Sequence, residues 1–337
     1  MQSTHGDDLY RYKDIKINFS SNIYSHADLS KLKKHLSERL YLIGNYPEPE
    51  PKEVAELIAK KEGISSEEVL VCNGATEAIY IIAAAFYGAN STIYQPTFCE
   101  YEVSCRAFSH NIYTQYDHIE NNKKGLQLCW ICNPNNPTGE VMDLEALKNR
   151  ITSHPEQTFV IDQSYSHYTT KKLPRVNEMV KQENVILIHS LTKLFCIPGL
   201  RIGYITANKN LIRELRRFKQ TWSVNAIAIE AAKFLFSNSD CLNLPDIHHY
   251  LSETKQLQTA IDSLEGYRTL PTKTNFFLTE TTRGKASELK EFLAKEHHIL
   301  IRDASNFRLL SDGYFRIATQ AKEENEKLVE ALKTFNN

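Results

Sequence analysis

Four clusters of polar residues follow apolar stretches in the middle of this chain, and each carries side chains able to do chemistry. Ser190-Leu191-Thr192-Lys193 comes after the apolar run Val185–Ile188 and is followed by Pro198-Gly199-Leu200-Arg201. A lysine at the end of a buried strand is costly unless it is paired or neutral. A desolvated lysine is also a nucleophile towards carbonyls and forms Schiff bases with them. Asp162-Gln163-Ser164-Tyr165 closes the apolar run that starts at Phe159. A carboxylate there needs a cationic or N–H partner. Asn133-Pro134-Asn135-Asn136-Pro137-Thr138-Gly139 reads as a rigid turn, of the kind positioned for a ligand at a strand's end. Asn73-Gly74-Ala75-Thr76-Glu77 reads as a tight strand-to-helix turn whose free N–H groups suit an anion. Each cluster alone also fits a plainer role: a structural turn, a capped carboxylate, a lysine whose stem is buried and whose head is wet.

These clusters need a scaffold, and the surrounding pattern supplies one. Short β-branched runs predict strands at Val69–Cys72, Thr92–Gln95, Leu128–Cys132, Phe159–Asp162, Val185–His189 and Gly203–Thr206. Helical patterns lie near Thr76–Tyr87, Leu144–Ile151 and Asn208–Lys219. Strands this short and apolar suit a sheet covered on both faces, and their alternation with helices predicts parallel βαβ units. All four clusters then fall at the carboxyl ends of strands, where open α/β sheets bind ligands. Beyond Asn238 the character changes. A helix at Ile247–Ser263 precedes a strand at Asn275–Glu280, a helix at Lys285–Lys295, strands at Ile299–Ile301 and Tyr314–Ala318, and a helix at Lys322–Phe335. The expected organisation is a large α/β domain over 39–238 with a mostly parallel sheet, and a smaller α+β domain over 239–337. Residues 1–38 are too few for a core of their own and pack with the small domain.

Composition narrows the function classes. The 337 residues suggest roughly two domains. Forty basic residues against 41 acidic ones leave a net charge of −1, which excludes a broad basic surface for nucleic acid. The longest apolar run, Ile79–Tyr87, is far short of a membrane span. Met1–Tyr10 lacks a signal-peptide pattern, and seven scattered cysteines point to a reduced, cytoplasmic protein. Cys129 and Cys132 form a lone C-x-x-C within a predicted strand, which reads as two core thiols; no metal site is expected. No P-loop, spaced G-x-G-x-x-G, H-E-x-x-H or G-x-S-x-G occurs.

Taken together, a Schiff-base lysine, a buried carboxylate, a helix N-terminus and an extra arginine are the parts that a pyridoxal 5'-phosphate site requires. The order N-P-x-N-P-T-G, D-x-x-Y, and S-x-x-K with an arginine eight residues on resembles the fold-type I pyridoxal phosphate enzymes of aminotransferase class I/II. The resemblance covers essentially the whole chain. It implies that Lys193 carries the cofactor as a Schiff base and that Asp162 pairs with the pyridine nitrogen. Asn136 and Tyr165 would contact the ring's 3-oxygen, and Tyr101 would stack on the ring. Ala75, Thr76, Ser190 and Arg201 would hold the phosphate. Tyr46, in Asn45-Tyr46-Pro47, would reach the cofactor of a neighbouring subunit, which implies a homodimer with shared sites.

Within that family several stretches resemble the threonine-phosphate decarboxylase branch of cobalamin synthesis. They are His5-Gly6, Asn18–Ile23, Ser190–Lys193 with Ile197–Arg201, Trp222–Ala226, Ile301–Phe307 and Phe315–Ala318. The branch implies decarboxylation of L-threonine O-3-phosphate to aminopropanol phosphate. Arg316 would take the substrate carboxylate, and His5, Gly6, Asn22, Asn136 and Arg302 would line the rest. Where that branch continues with Asn-Pro and a glycine after Asn22-Ile23, this chain has Tyr24-Ser25-His26-Ala27 in a shortened segment. The alternative is a histidinol-phosphate aminotransferase, which would use the same residues.

Overall fold

The computed structural model describes residues 8–115 and 125–335. After β1 (Ile17–Asn18), seven strands among the described residues form the main sheet: β2 (Val69–Cys72), β3 (Asn90–Tyr94), β4 (Asn111–Gln115), β5 (Leu128–Cys132), β6 (Thr158–Asp162), β7 (Val185–Ser190) and β8 (Gly203–Ala207). Their order is β2-β8-β7-β6-β5-β3-β4. β3 to β7 run parallel, and β8 is antiparallel to both its neighbours. The fold is α/β with a mostly parallel sheet.

Side-chain alternation builds the layers on this sheet. Ile186 and Ile188 of β7 join Trp130 and Val160 under the helix Gly74–Ala85, against its Ile79 and Ile82. Val185 and Leu187 point the other way and meet Phe159, Ile161 and the helix Leu144–Ser153. A strand buried on both faces has no solvated side to alternate with, which is why these runs are continuously apolar. Polarity returns only at their carboxyl ends, at Asp162 and Ser190.

A second core gathers the C-terminal elements. β9 (Tyr267–Thr269), β10 (Phe276–Thr281), β12 (Arg302–Asp303) and β13 (Tyr314–Ala318) form an antiparallel sheet in the order β12-β13-β10-β9. The predicted strand Ile299–Ile301 is divided. β11 (Ile299–Leu300) pairs in parallel with β1, and the chain then turns into β12. Ile17 and Phe19 are buried in one cluster with Leu257, Phe277, Leu289 and Phe315. Among the described residues no helix is long and apolar enough to cross a membrane.

Candidate active site

The carboxyl ends of β5, β6 and β7 open into a cavity of about 400 Å³, closed on its far side by β12, β13 and the loop after β1. Ala75, Thr76, Tyr101, Asn136, Asp162, Tyr165, Ser190, Lys193, Arg201, Arg302 and Arg316 all line it. The structure therefore brings together eleven residues singled out in the sequence.

At one end, β2 turns at Asn73 into the helix Gly74–Ala85, whose first N–H groups face the cavity beside Ala75 and Thr76. Gly74 has φ +78°, and a Cβ there would sit 2.7 Å from Nη2 of Arg201. Only glycine lets the guanidinium lie against this turn. Arg201, itself at φ +57°, donates to Thr192 Oγ1 at 3.3 Å, and burial lowers its pKa. Ser190 completes this end from the last position of β7.

Asp162 sits at the floor and is 4% exposed. Its Oδ1 accepts from the Ser164 backbone N–H at 2.8 Å and its Oδ2 from the Tyr101 hydroxyl at 2.8 Å. Among the described residues no cation pairs with it. Burial pushes this carboxyl upward, and the two donors oppose that shift. Lys193, on the short helix Leu191–Leu194, donates from Nζ to the Ser21 carbonyl at 2.7 Å and lies 5.7 Å from the Tyr165 ring centroid. Burial pushes the Tyr165 phenol up to about 12, against the pull of Arg316.

At the other end, Arg302 and Arg316 stand directly opposite each other in the β12–β13 register, 5% and 4% exposed. Facing side chains across such a pair have Cβ atoms ~4.5–5.5 Å apart, and like charges there repel. Arg316 donates to Asn136 Oδ1 and to the Ser20 carbonyl. Arg302 donates to Asn306 Oδ1 at 2.7 Å and lies 5.3 Å from the Phe307 ring centroid. Asn22 is fully buried at φ +58° against Tyr165, behind the residues that line the cavity rather than among them.

These features fit an aromatic aldehyde phosphate. A helix end, a serine and an arginine suit the phosphate; a buried carboxylate without a cation suits a protonated ring nitrogen; a lysine stands between. Some expectations fall elsewhere. His5 and Gly6 lie outside the described residues. Tyr46 is 84% exposed and packs on Trp222, away from the cavity of its own chain. The ring of Tyr101 lines the cavity but is also stacked on Trp130, with centroids 5.4 Å apart. Cys129 is a core thiol, and Cys132 packs against the hydrophobic core while also lining the cavity. The sequence reading passed over Ser164, Ser21 and Phe307 as site residues. Only Ser164 left a local signal, the Asp-x-Ser spacing of a side-chain-to-backbone turn.

A family model described as aminotransferase class I and II matches residues 14–334. The chain belongs to that family. Members related to it include a protein of Caldanaerobacter subterraneus subsp. tengcongensis, provisionally named a threonine-phosphate decarboxylase. It is 30% identical over 98% of this chain and 93% of its own. A histidinol-phosphate aminotransferase of Thermoanaerobacter sp. (strain X514) is 30% identical over 86% of this chain and 83% of its own. The crystal structure of L-threonine-O-3-phosphate decarboxylase from Porphyromonas gingivalis superposes with a TM-score of 0.91 at 39% identity, covering 95% of this chain and 99% of that one. As a class I and II family member, this chain is a pyridoxal 5'-phosphate enzyme, a lyase or an aminotransferase.

Proposed function

We propose that this enzyme decarboxylates L-threonine O-3-phosphate to aminopropanol phosphate, a step of cobalamin side-chain synthesis. The observation that carries the reading is the Arg302–Arg316 pair. Two guanidinium groups side by side on one cavity wall suit a ligand with two anionic groups, and a phosphorylated amino acid brings a phosphate and a carboxylate. The 39% identity to a crystallised decarboxylase of that substrate supports the same choice.

On this reading Lys193 holds the cofactor, Asp162 faces its ring nitrogen, and Asn136 and Tyr165 face its 3-oxygen. Ala75, Thr76, Ser190 and Arg201 hold its phosphate, and Tyr101 flanks the ring. The bound cofactor supplies an electron sink for the pair released at the substrate carbon. Arg316, braced by Asn136 and the Ser20 carbonyl, fixes the carboxylate. Arg302, with His5, Gly6 and Asn22, takes the phosphate end. Holding both ends fixes which bond at the central carbon is presented for cleavage, so orientation is the residues' main contribution. Lys193 would be the acid that returns a proton to that carbon.

A homodimer completes the picture, with Tyr46 reaching the neighbouring subunit's cofactor. Tyr41, Ile43 and Tyr46 are 71%, 73% and 84% exposed, the kind of apolar surface a partner subunit covers. The enzyme would work in the cytoplasm, where its cysteines stay reduced.

The second reading, transfer of an amino group from a substrate such as histidinol phosphate, is favoured by the relative of that name at 30% identity. It uses the same residues, with Lys193 removing a proton in place of carbon dioxide loss. Incubation with O-phosphothreonine decides between them. Carbon dioxide released without a 2-oxo acid acceptor supports decarboxylation, and amino transfer to 2-oxoglutarate without carbon dioxide refutes it.

A further inference from the structure

Tyr101 does more at the floor of the cavity than flank it. Its ring is held between neighbours, stacked on Trp130 with planes 21° apart and edge-on to Phe98 at 5.8 Å. At 1% exposure its hydroxyl has no bulk water to turn to. The hydroxyl donates instead to Asp162 Oδ2 across 61 residues of sequence, while the Ser164 backbone N–H takes Oδ1. Burial raises the phenol's pKa, so it remains a donor throughout the working pH range.

We infer that Tyr101 is a positioning residue that keeps Asp162 ionised and aimed at the cofactor's ring nitrogen, and so sets the proton affinity of the bound cofactor. The inference rests on the reading that Asp162 meets that nitrogen. The physics runs through the carboxylate. Burial alone drives Asp162 towards its neutral form, and a hydrogen bond donated to the charged form opposes this. Without the phenol, Asp162 takes a larger share of the ring proton. The ring then withdraws fewer electrons, and the nitrogen contributed by Lys193 becomes more basic.

Tyr101→Phe removes one oxygen and leaves the ring stacked. The expected result is that the pH midpoint of the bound cofactor's absorbance change rises by about one unit, and that the cofactor is held on the order of tenfold more weakly. Trp130→Phe loosens the same packing but keeps the hydroxyl. It should lower the melting temperature and leave the midpoint in place. No midpoint shift in Tyr101→Phe overturns the inference, as does an equal shift in both variants, which would assign the effect to packing. Asp162→Asn separates the two layers of the argument. If it leaves cofactor affinity and midpoint untouched, the placement of Asp162 is wrong and the inference falls with it. Should Tyr101→Phe fail to fold, Asp162→Asn/Tyr101→Phe carries the test, because no buried carboxylate then needs a donor. Cofactor affinity equal to that of Asp162→Asn supports coupling through Asp162, and a further tenfold loss overturns it.

Discussion

The floor of the cavity and the end beside the helix Gly74–Ala85 draw Asp162, Tyr165, Ser190, Lys193 and Arg201 from one continuous stretch of chain and from neighbouring strands. The β12–β13 end instead joins the Ser20 carbonyl to Arg316 across 296 residues, with Arg302 added from an adjacent strand. At the first end, backbone groups do much of the work: a helix terminus, the Ser164 N–H and the Ser21 carbonyl. At the second, two cations of like sign face each other. The contrast teaches that one end is assembled from local motifs and backbone groups, whereas the other depends on side chains that only long-range packing brings together.

Breaking the first end should have the largest effect. Lys193→Ala should fold, as judged by circular dichroism, yet lose turnover by on the order of 10³-fold or more. Substantial residual turnover would contradict its assignment. At the second end, Arg316→Ala or Arg302→Ala should each weaken substrate use by about 2–5 kcal/mol in kcat/KM while the cofactor stays bound.

A pH experiment probes the strand beneath the first end. His189, stacked on Tyr204 with centroids 4.5 Å apart, is pushed down to about 3 by burial. Unfolding frees it to bind a proton at its ordinary value near 6.5. Between those values the unfolded chain holds more protons, so stability is complete above pH 6.5 and declines as the pH falls towards 3. His189 should contribute up to about 1.4 kcal/mol per pH unit to the slope of the unfolding free energy measured by urea titration, and His189→Phe should remove that share. The smallest effect belongs to Ser190→Ala. Losing one phosphate hydrogen bond should weaken cofactor binding by about 1–1.5 kcal/mol and leave the substrate KM alone.

How much of this was legible follows from where each feature's cause lies. β2 and β5 match the predicted strands at both ends, because strands buried on both faces leave a continuous apolar run. β4, Asn-Ile-Tyr-Thr-Gln at the sheet's edge, carries no such run and was not anticipated. The helix Glu100–Ala107 is hidden for a related reason, since Glu100 and Ser104 share its buried face with Tyr101 and Cys105 and interrupt the apolar stripe. Lys193, Asp162 and Arg201 stand in short motifs, so their gathering could be expected. That Arg302 and Arg316 face each other could not be read from a separation of fourteen residues, since the turn between β12 and β13 sets the register. The Tyr101–Asp162 bond was hidden likewise, being made between elements that only the packed sheet brings together.

Lys193 carries the central claim, and borohydride reduction of the cofactor-loaded enzyme followed by peptide mass spectrometry tests it directly. The account predicts one equivalent of pyridoxyl phosphate fixed on the peptide containing Lys193. Label on another lysine, or none on a protein that binds the cofactor, would contradict it.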